Sequence, residues 1–587
     1  MKKQLIVEFY SPLILLLTFV TGCLTGDRGS SYILPLLNTN LSIGMPNPSD
    51  GTGPTFQYSS SSFRFVKNEA ITSFTPTTSD LIDHYSISPA LPNGMSFNPL
   101  NGEIAGTPSS AVAPTSYQIT AYNSQGNSSS ISLALEVQAL NWENQYFLKG
   151  SNLLLNHALG VSVGISNDTI VSGAYGDTAF AGAAYVFRKV GTTWSQEARL
   201  TAPLRTNSDV FGISVAISGD TIVIGAPLED SNQNFVSTTA SSNESLPSSG
   251  AAYVFRRSGA TWNLEAFLKP SNAGANDSFG RFVAIDGDTI VVGSPCEASL
   301  DPTIQSGSNA SSDNSGTNVG AAYVFRRVGT TWSQEAYLKA QNPATNDRFG
   351  SEIGISGETI IVGISQDDAG FANSGAAQIF KRVGTTWTRE AFLKASNANA
   401  SDQFGVSVGI SNNTVIVGAL GQSANEGAAY VFERTGNTWS EIAILKAPNA
   451  ETNDQFGKAV SIYGDTVAIA APRESNSGRT ILNKGVLPDP LDNGSLNSGA
   501  VYVFQKDTNW IYRSFIKTSN ADPSDQVSNA TGGPSTPIGE YGSLAIYGDI
   551  IALGAAEEKS SQTVSSPLAP IGDNTKSRAG AVYVFNR

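Results

Sequence analysis

The chain has 587 residues, with 35 lysines and arginines against 49 aspartates and glutamates, and a formal net charge of −14. That length exceeds one ordinary domain. The acidic balance excludes a phosphate-backbone partner, which needs a basic face, so no nucleic-acid partner is expected.

Two cysteines, Cys23 and Cys296, and two histidines, His84 and His157, leave little material for a disulfide framework, a histidine metal site or a histidine acid–base pair. Charged residues make up only 14% of a chain with 57 glycines, a mix that suits an all-β protein with many turns.

The chain opens on Met1-Lys2-Lys3, continues through an apolar run from Leu13 to Val20 and reaches Val20-Thr21-Gly22-Cys23. A basic start, an apolar segment too short to span a bilayer and a zone of small residues are the parts of a secretory signal. Val-Thr-Gly-Cys resembles a bacterial lipobox. The resemblance implies that residues 1–22 are removed and that Cys23 is lipidated. The protein is then expected in the cell envelope, anchored to a membrane outside the cytoplasm, at the outer membrane or cell surface. Glu8 departs from the pattern, since signal starts usually lack acids. Residues 23–53, rich in Gly, Ser, Asn and Pro, read as a flexible tether.

Residues 54–139 carry short alternating runs, among them Phe63-Arg64-Phe65-Val66 and Tyr117 to Tyr122, separated by Pro92-Asn93-Gly94 and Asn101-Gly102. Regular short strands with turn signals predict a β-sandwich. The stretch from Leu91 to Pro108, LPNGMSFNPLNGEIAGTP, resembles the signature of a bacterial immunoglobulin-like family, with Met95 and Asn101 as mild departures. That resemblance implies a structural or adhesive module and assigns no chemistry.

From residue 140 to 587 the chain repeats one unit seven times, and a fixed period is read before any site. Run A opens on an aromatic-glycine pair: Phe211-Gly212, Phe279-Gly280, Phe349-Gly350, Phe404-Gly405 and Phe456-Gly457, with Leu159-Gly160 and Tyr541-Gly542 as divergent copies. Run B follows a tight turn such as Gly219-Asp220 and ends in Gly-Ala or a variant. Run C is GAAYVF or close to it, from Gly182 in the first copy to Gly580 in the last. Run D carries Trp142, Trp194, Trp262, Trp332, Trp387, Trp439 or Trp510, which are all the tryptophans of the chain.

Within run D, Trp262, Leu264, Ala266 and Leu268 alternate with Asn263, Glu265, Phe267 and Lys269, the period of a strand with one apolar face. Four strands per unit and seven units predict a seven-bladed β-propeller. The region opens with an unpartnered run D and closes with an unpartnered run C. A ring in which the first strand completes the last blade resolves that offset and leaves no open edge.

These runs resemble the FG-GAP repeat family, which includes the propeller of integrin α chains. The resemblance implies recognition or adhesion. Some integrin blades also hold calcium in a DxDxDG loop between strands A and B. Here that turn shrinks to two residues, and Asp286-Gly287-Asp288 is the nearest approach, too short to supply six to eight oxygen ligands. No metal or other cofactor is expected.

Asp168, Asp220, Asp288, Asp465 and Asp549 read as hairpin-turn residues. Asp209, Asp277, Asp347, Asp402 and Asp454, two residues ahead of each Phe-Gly, read as backbone caps. The tryptophans read as packing, and Glu265 with Lys269, like Glu335 with Lys339, as exposed ion pairs of little worth. Cys296 has no basic neighbour in sequence to activate it.

What does not repeat is then where function is expected: the long B–C loops Leu228 to Ser249, Cys296 to Val319, Arg473 to Ser498 and Glu557 to Ala579, and the D–A connection Thr518 to Gly539. The expected function is a lipid-anchored, exported binding or adhesion protein that meets a protein or glycan partner through this rim. A passive envelope scaffold or assembly component is the alternative, and a propeller hydrolase with carboxylates around the central channel is a third reading. No nucleophile or paired-acid motif points to an enzyme, and no catalytic residue is assigned.

Overall fold

The computed structural model describes residues 53–67, 69–138, 141–204, 206–483, 485–520, 522–525, 527, 529–530, 541–560 and 575–587. It divides into two compact units at Leu140/Asn141. Cys23 and the tether, apart from Gly53, lie outside the described residues.

In the first unit, Ser62–Val66, Ser128–Gln138, Val112–Tyr122 and His84–Ser88 make one sheet in that order, with the first pair parallel and the others antiparallel. Alternate residues face inward, so Phe63, Phe65, Tyr117, Ile119, Leu133 and Leu135 are buried together with Ile104. The Leu91–Pro108 motif forms a hairpin, Met95–Phe97 against Ile104–Gly106. Gly94 sits at φ 86, and its carbonyl accepts the N–H of Thr107 at 2.8 Å.

In the second unit, seven sheets follow one another, each antiparallel in the order A-B-C-D. We number them as blades by strand A: Val163–Ser166, Ser214–Ser218, Phe282–Asp286, Ile353–Ser356, Phe404–Ser411, Ala459–Tyr463 and Leu544–Tyr547. The seventh blade takes its strand D from the start of the unit: Glu143–Leu148 pairs with Ala581–Asn586.

Neighbouring blades meet backbone to backbone. At six of the seven junctions the glycine ending one strand B faces the glycine of the next Phe-Gly or its counterpart, and a Cβ on Gly225 would lie 1.8 Å from the carbonyl oxygen of Gly280; in blade 6 the place is taken by Ala470. The same contact joins blade 7 to blade 1, where a Cβ on Gly554 would lie 2.0 Å from the oxygen of Gly160. Five run C glycines also bridge to the next Phe-Gly aromatic, as Gly250 to Phe279, and Gly580 bridges to Leu159 in the same parallel sense. At the other end of the inner strands, Ser166, Ser218, Ser356 and Ser411 accept the turn N–H of the next blade at 3.0–3.1 Å. Tyr547 closes this series by donating to Asn167 at 3.0 Å.

Strand D differs from simple alternation. A bulge interrupts its pairing with strand C in blades 1 to 6, at Glu197, Glu265, Glu335, Glu390, Ile442 and Arg513. Phe267 and Lys269 therefore join Ala266 and Leu268 in the buried set.

The extra residue becomes an inter-blade brace in four places. Trp262, Trp332, Trp387 and Trp439 each donate Nε1–H to the bulge glutamate of the preceding blade at 2.9–3.1 Å. Arg257, Arg327, Arg382 and Arg434 pair with the same carboxylates. Position 442 is isoleucine, and the Nε1 of Trp510 in the next blade has no acceptor among the described residues.

The expected exposed pairs Glu265–Lys269 and Glu335–Lys339 are thus corrected. Lys269 and Lys339 are buried and meet Glu229 and Glu297, both at 2.8 Å. Lys149–Glu558 at 2.6 Å and Lys517–Glu474 at 3.1 Å repeat the arrangement. Each lysine also donates to the carbonyl of the first residue of run C, at 2.6–2.9 Å. Pairing and hydrogen bonding together are what make a buried charge tolerable.

The recurring aspartates cap backbone as expected. Asp277, Asp347, Asp402 and Asp454 accept the N–H three residues earlier at 2.8–2.9 Å, and Asp209 accepts that of Thr206 at 3.3 Å. Asp525 does the same for Asp522 at 3.2 Å.

Asp525 also corrects the seventh run A. Val527, two residues after it, is buried and donates its N–H to Ser498, as Phe349 does to Val319. Tyr541–Gly542 instead pairs with Asn529–Ala530. The stretch 529–542 is thus an insertion after the run A start, and the D–A connection itself is short.

Two predictions follow from this geometry. Gly225→Ala should lower stability by at least about 2 kcal/mol in urea unfolding, because its Cβ meets fixed backbone. Gly219→Asn should change it by less than about 0.5 kcal/mol, since Asn167 and Asn412 already occupy that turn position at φ 51 and 54.

Burial pushes the Asp347 carboxyl up to about 7. The folded state therefore holds a proton that the unfolded state has released. The stability this group contributes is full below its unfolded value near 4 and is lost as pH rises to 7. Asp347→Asn keeps an acceptor for Ala344. It should stabilise the protein by on the order of 1–2 kcal/mol at pH 8, with little effect at pH 4, in denaturant midpoints measured at both.

Candidate functional site

Three features of the second unit break its repetition: the B–C loops, the rim of blade 1, and the wall of the central channel. The long loops fold back across their own blades before reaching solvent. Ser237 exchanges two backbone hydrogen bonds with Phe267, at 2.7 and 3.0 Å. Gln305–Ser306 pairs with Ala336 and Tyr337, and Ile481–Leu482 with Phe515 and Ile516. Each covers the outer edge of a strand D, where unpaired backbone would otherwise be open to other chains. Asn483 also clasps the ring-closing strand, exchanging hydrogen bonds with the backbone of Trp142 at 2.9 and 3.0 Å. Residues 561–574 of the fourth long loop lie outside the described residues.

Beyond these anchors the loops expose large apolar side chains. Leu491 is 88% exposed, Leu496 64%, Phe235 61% and Phe371 53%. Such residues on loops of a rigid scaffold are the usual material of a contact surface.

Blade 1 replaces the recurring buried charges. His157 stands two residues ahead of Leu159-Gly160, where the other blades carry an aspartate. It is buried, with Nδ1 3.6 Å from Asp177. Asp177 accepts from Arg199 at 2.6 Å, from Thr178 at 2.6 Å and from Tyr185 at 3.2 Å. Burial depresses the His157 pKa; Asp177 opposes that, while Arg199 and Lys576 add to it. The group reads as a local substitute for the lysine–glutamate pair. Its only signal in sequence is the histidine at an aspartate position.

The seven strands A line one cavity of about 670 Å³. Its wall is mostly aliphatic residues, glycines and serines, and many of the serines are committed to backbone hydrogen bonds between blades. Two charged side chains line it, Asp286 and Glu352, and among the described residues no lysine, arginine or histidine does. Asp286 takes the place of a serine and accepts the N–H of Gly357 at 2.6 Å. Glu352 has no cation within 4 Å among the described residues. Glu352 is half-buried, and desolvation pushes its carboxyl up to about 8 against the pull of Lys458.

The A–B turns offer no ion cage. In Asp286-Gly287-Asp288 the first carboxylate holds Gly357 and the second holds Arg327 at 2.8 Å. Among the described residues no group of three or more His, Cys, Asp or Glu is placed to hold a metal. Cys296 does have basic neighbours: folding brings Arg281 and Arg348 near it. Burial nevertheless dominates and raises its thiol pKa.

The FG-GAP repeat model matches residues 194–255, 262–325, 332–380, 387–432 and 439–504. The model described as "Putative Ig domain" matches residues 45–138. No curated protein matches the chain. A solved DUF4784 family protein from Bacteroides caccae is 7% identical, covers 66% of this chain and 95% of its own, and has a TM-score of 0.23, too low for argument. The five matched repeats fall on consecutive units of one ring, and the remaining two units share its contacts. The chain belongs to the FG-GAP repeat family, with an immunoglobulin-like domain ahead of its β-propeller.

Proposed function

We propose that this is an exported, lipid-anchored binding protein whose B–C loop rim meets a macromolecular partner, a protein or a glycan. The observation that carries this reading is the contrast between a scaffold made alike in each blade and loops that differ in every blade while exposing Leu491, Leu496, Phe235 and Phe371. FG-GAP repeats with an immunoglobulin-like domain upstream fit a β-propeller of the binding and adhesion class. The lipobox-like Val20 to Cys23 supports an anchor at Cys23 and a place in the cell envelope. The reading needs no cofactor and no catalytic residue.

A passive envelope scaffold is the second reading. The folding of three long loops onto strand edges favours it, since edge protection alone accounts for part of their length.

Changing Leu491, Leu496 and Phe371 to serine should reduce binding to matrix proteins, glycans or envelope extracts at least tenfold, measured on immobilised protein, with the melting temperature unchanged. Binding that survives all three changes would favour the scaffold. Labelled palmitate should enter the wild type and not Cys23→Ala; equal labelling would refute the anchor.

A further inference from the structure

The central channel belongs to neither the scaffold nor the loop rim. Most of its lining serves the ring: Ser162, Ser166, Ser218, Ser356, Ser411 and Ser461 each accept a backbone N–H of the next blade. Glu352 serves no such purpose. The matching positions in the other blades are Ser162, Ser214, Phe282, Ser407, Ala459 and Ser543, so this carboxyl occurs once in seven. It lies at the end of the channel where the strands A begin. Asp286, equally singular among the residues that end strand A, lies at the opposite end on the adjacent blade.

The register gives their spacing. Phe282 matches Glu352 in the repeat, and Asp286 is four residues along the same strand from Phe282. At about 3.3 Å per residue, the two carboxyls stand roughly 13 Å apart along the channel. Between them the wall is aliphatic, with Val283, Ile285, Ile353 and Ile355 among the lining residues. A cavity whose two acidic lining groups, one at each end of an apolar barrel, meet no lining cation is complementary to a chain with cationic ends and methylene spacers, which draws off the proton of Glu352 on entry.

We propose that the central channel binds a linear aliphatic polyamine, one terminal ammonium meeting Glu352 and the other meeting Asp286. The methylenes lie against the isoleucines and valines. The enclosure that holds the Glu352 carboxyl protonated near neutral pH is relieved when a cation enters beside it. Lys458 sends its field toward Glu352 without lining the cavity, so it weakens the site and does not fill it.

The test is isothermal titration of the full chain with spermidine, alongside putrescine, sorbitol and magnesium. Spermidine should bind one per chain, putrescine about tenfold more weakly because it reaches one carboxyl at a time, and sorbitol not at all. Glu352→Gln should weaken spermidine at least tenfold. Asp286→Asn keeps an acceptor for Gly357, so the ring contact survives, and it should cost a similar factor. Circular dichroism spectra and melting temperatures should be unchanged in both variants. Several weak sites per chain, spermidine affinity unchanged in Glu352→Gln, or magnesium competing at equal concentration would each overturn the proposal. The first two would reveal surface counterions, and the third an inorganic cation site.

Discussion

Six of the seven junctions depend on one close approach, the carbonyl oxygen of a Phe-Gly glycine or its counterpart resting on the glycine that ends the preceding strand B; blade 6 carries Ala470 at that place. A side chain on the strand B glycine would collide with that oxygen, as the 1.8 Å separation at Gly225 and the 2.0 Å separation at Gly554 make plain. Backbone packed against backbone sets the distance between blades. The aromatic of each Phe-Gly then fills the space that remains, so Phe211, Phe279, Phe349, Phe404 and Phe456 are fully buried. Because Gly554 and Gly160 repeat the contact, the junction that closes the ring is made of the same parts as five others. Closure needs no special device beyond the exchange of one strand.

Polar groups then fix what the glycines bring together. The tryptophan–glutamate–arginine brace joins blades near the outer strands, and the serine-to-turn hydrogen bonds join them at the channel. In four blades a buried lysine–glutamate pair ties the start of the B–C loop to the end of strand D. Replacing one partner of such a pair leaves a charge stranded in the interior, which costs more than the pair itself contributes. Trp510 shows the lesser cost of losing a brace: Ile442 removes its acceptor, and Lys506 turns to Glu433 instead. The junction survives because the glycine contact and the aromatic are still present.

The seven units, their order and the strand exchange were legible in the sequence, because each rests on residues that recur at fixed phase. What escaped was whatever a strictly local pattern cannot carry. Alternation along Trp262 to Lys269 puts Glu265 and Lys269 on one exposed face, but a bulge at Glu265 shifts the register and sends Lys269 inward. Its partner Glu229 lies 40 residues away in another loop, where no spacing rule points. Tyr541-Gly542 matches the Phe-Gly pattern by residue type, yet Val527 holds the place; the sign was Asp525 at the capping distance. Cys296 lacked basic neighbours in sequence and gained Arg281 and Arg348 by folding, without becoming acidic, since burial outweighs them.

Repetition is therefore the measure of what each residue is for. A residue present in every blade is explained by the junction or the hairpin it serves, and the recurring aspartates and tryptophans fall under that account. A residue that departs needs its own reason. His157 and Ile442 depart as substitutes within the scaffold, with local consequences that the surrounding hydrogen bonds absorb. Glu352 departs differently. It adds a carboxyl to a wall that works in six other blades without one, at the cost of partly desolvating a titratable group. Scaffold economy would remove it, because serine at the same position accepts the next blade's N–H in blade 1 and donates to a carbonyl in blades 2 and 5. The channel, and not only the loops above it, is thus a place where this chain has diverged from the demands of its fold.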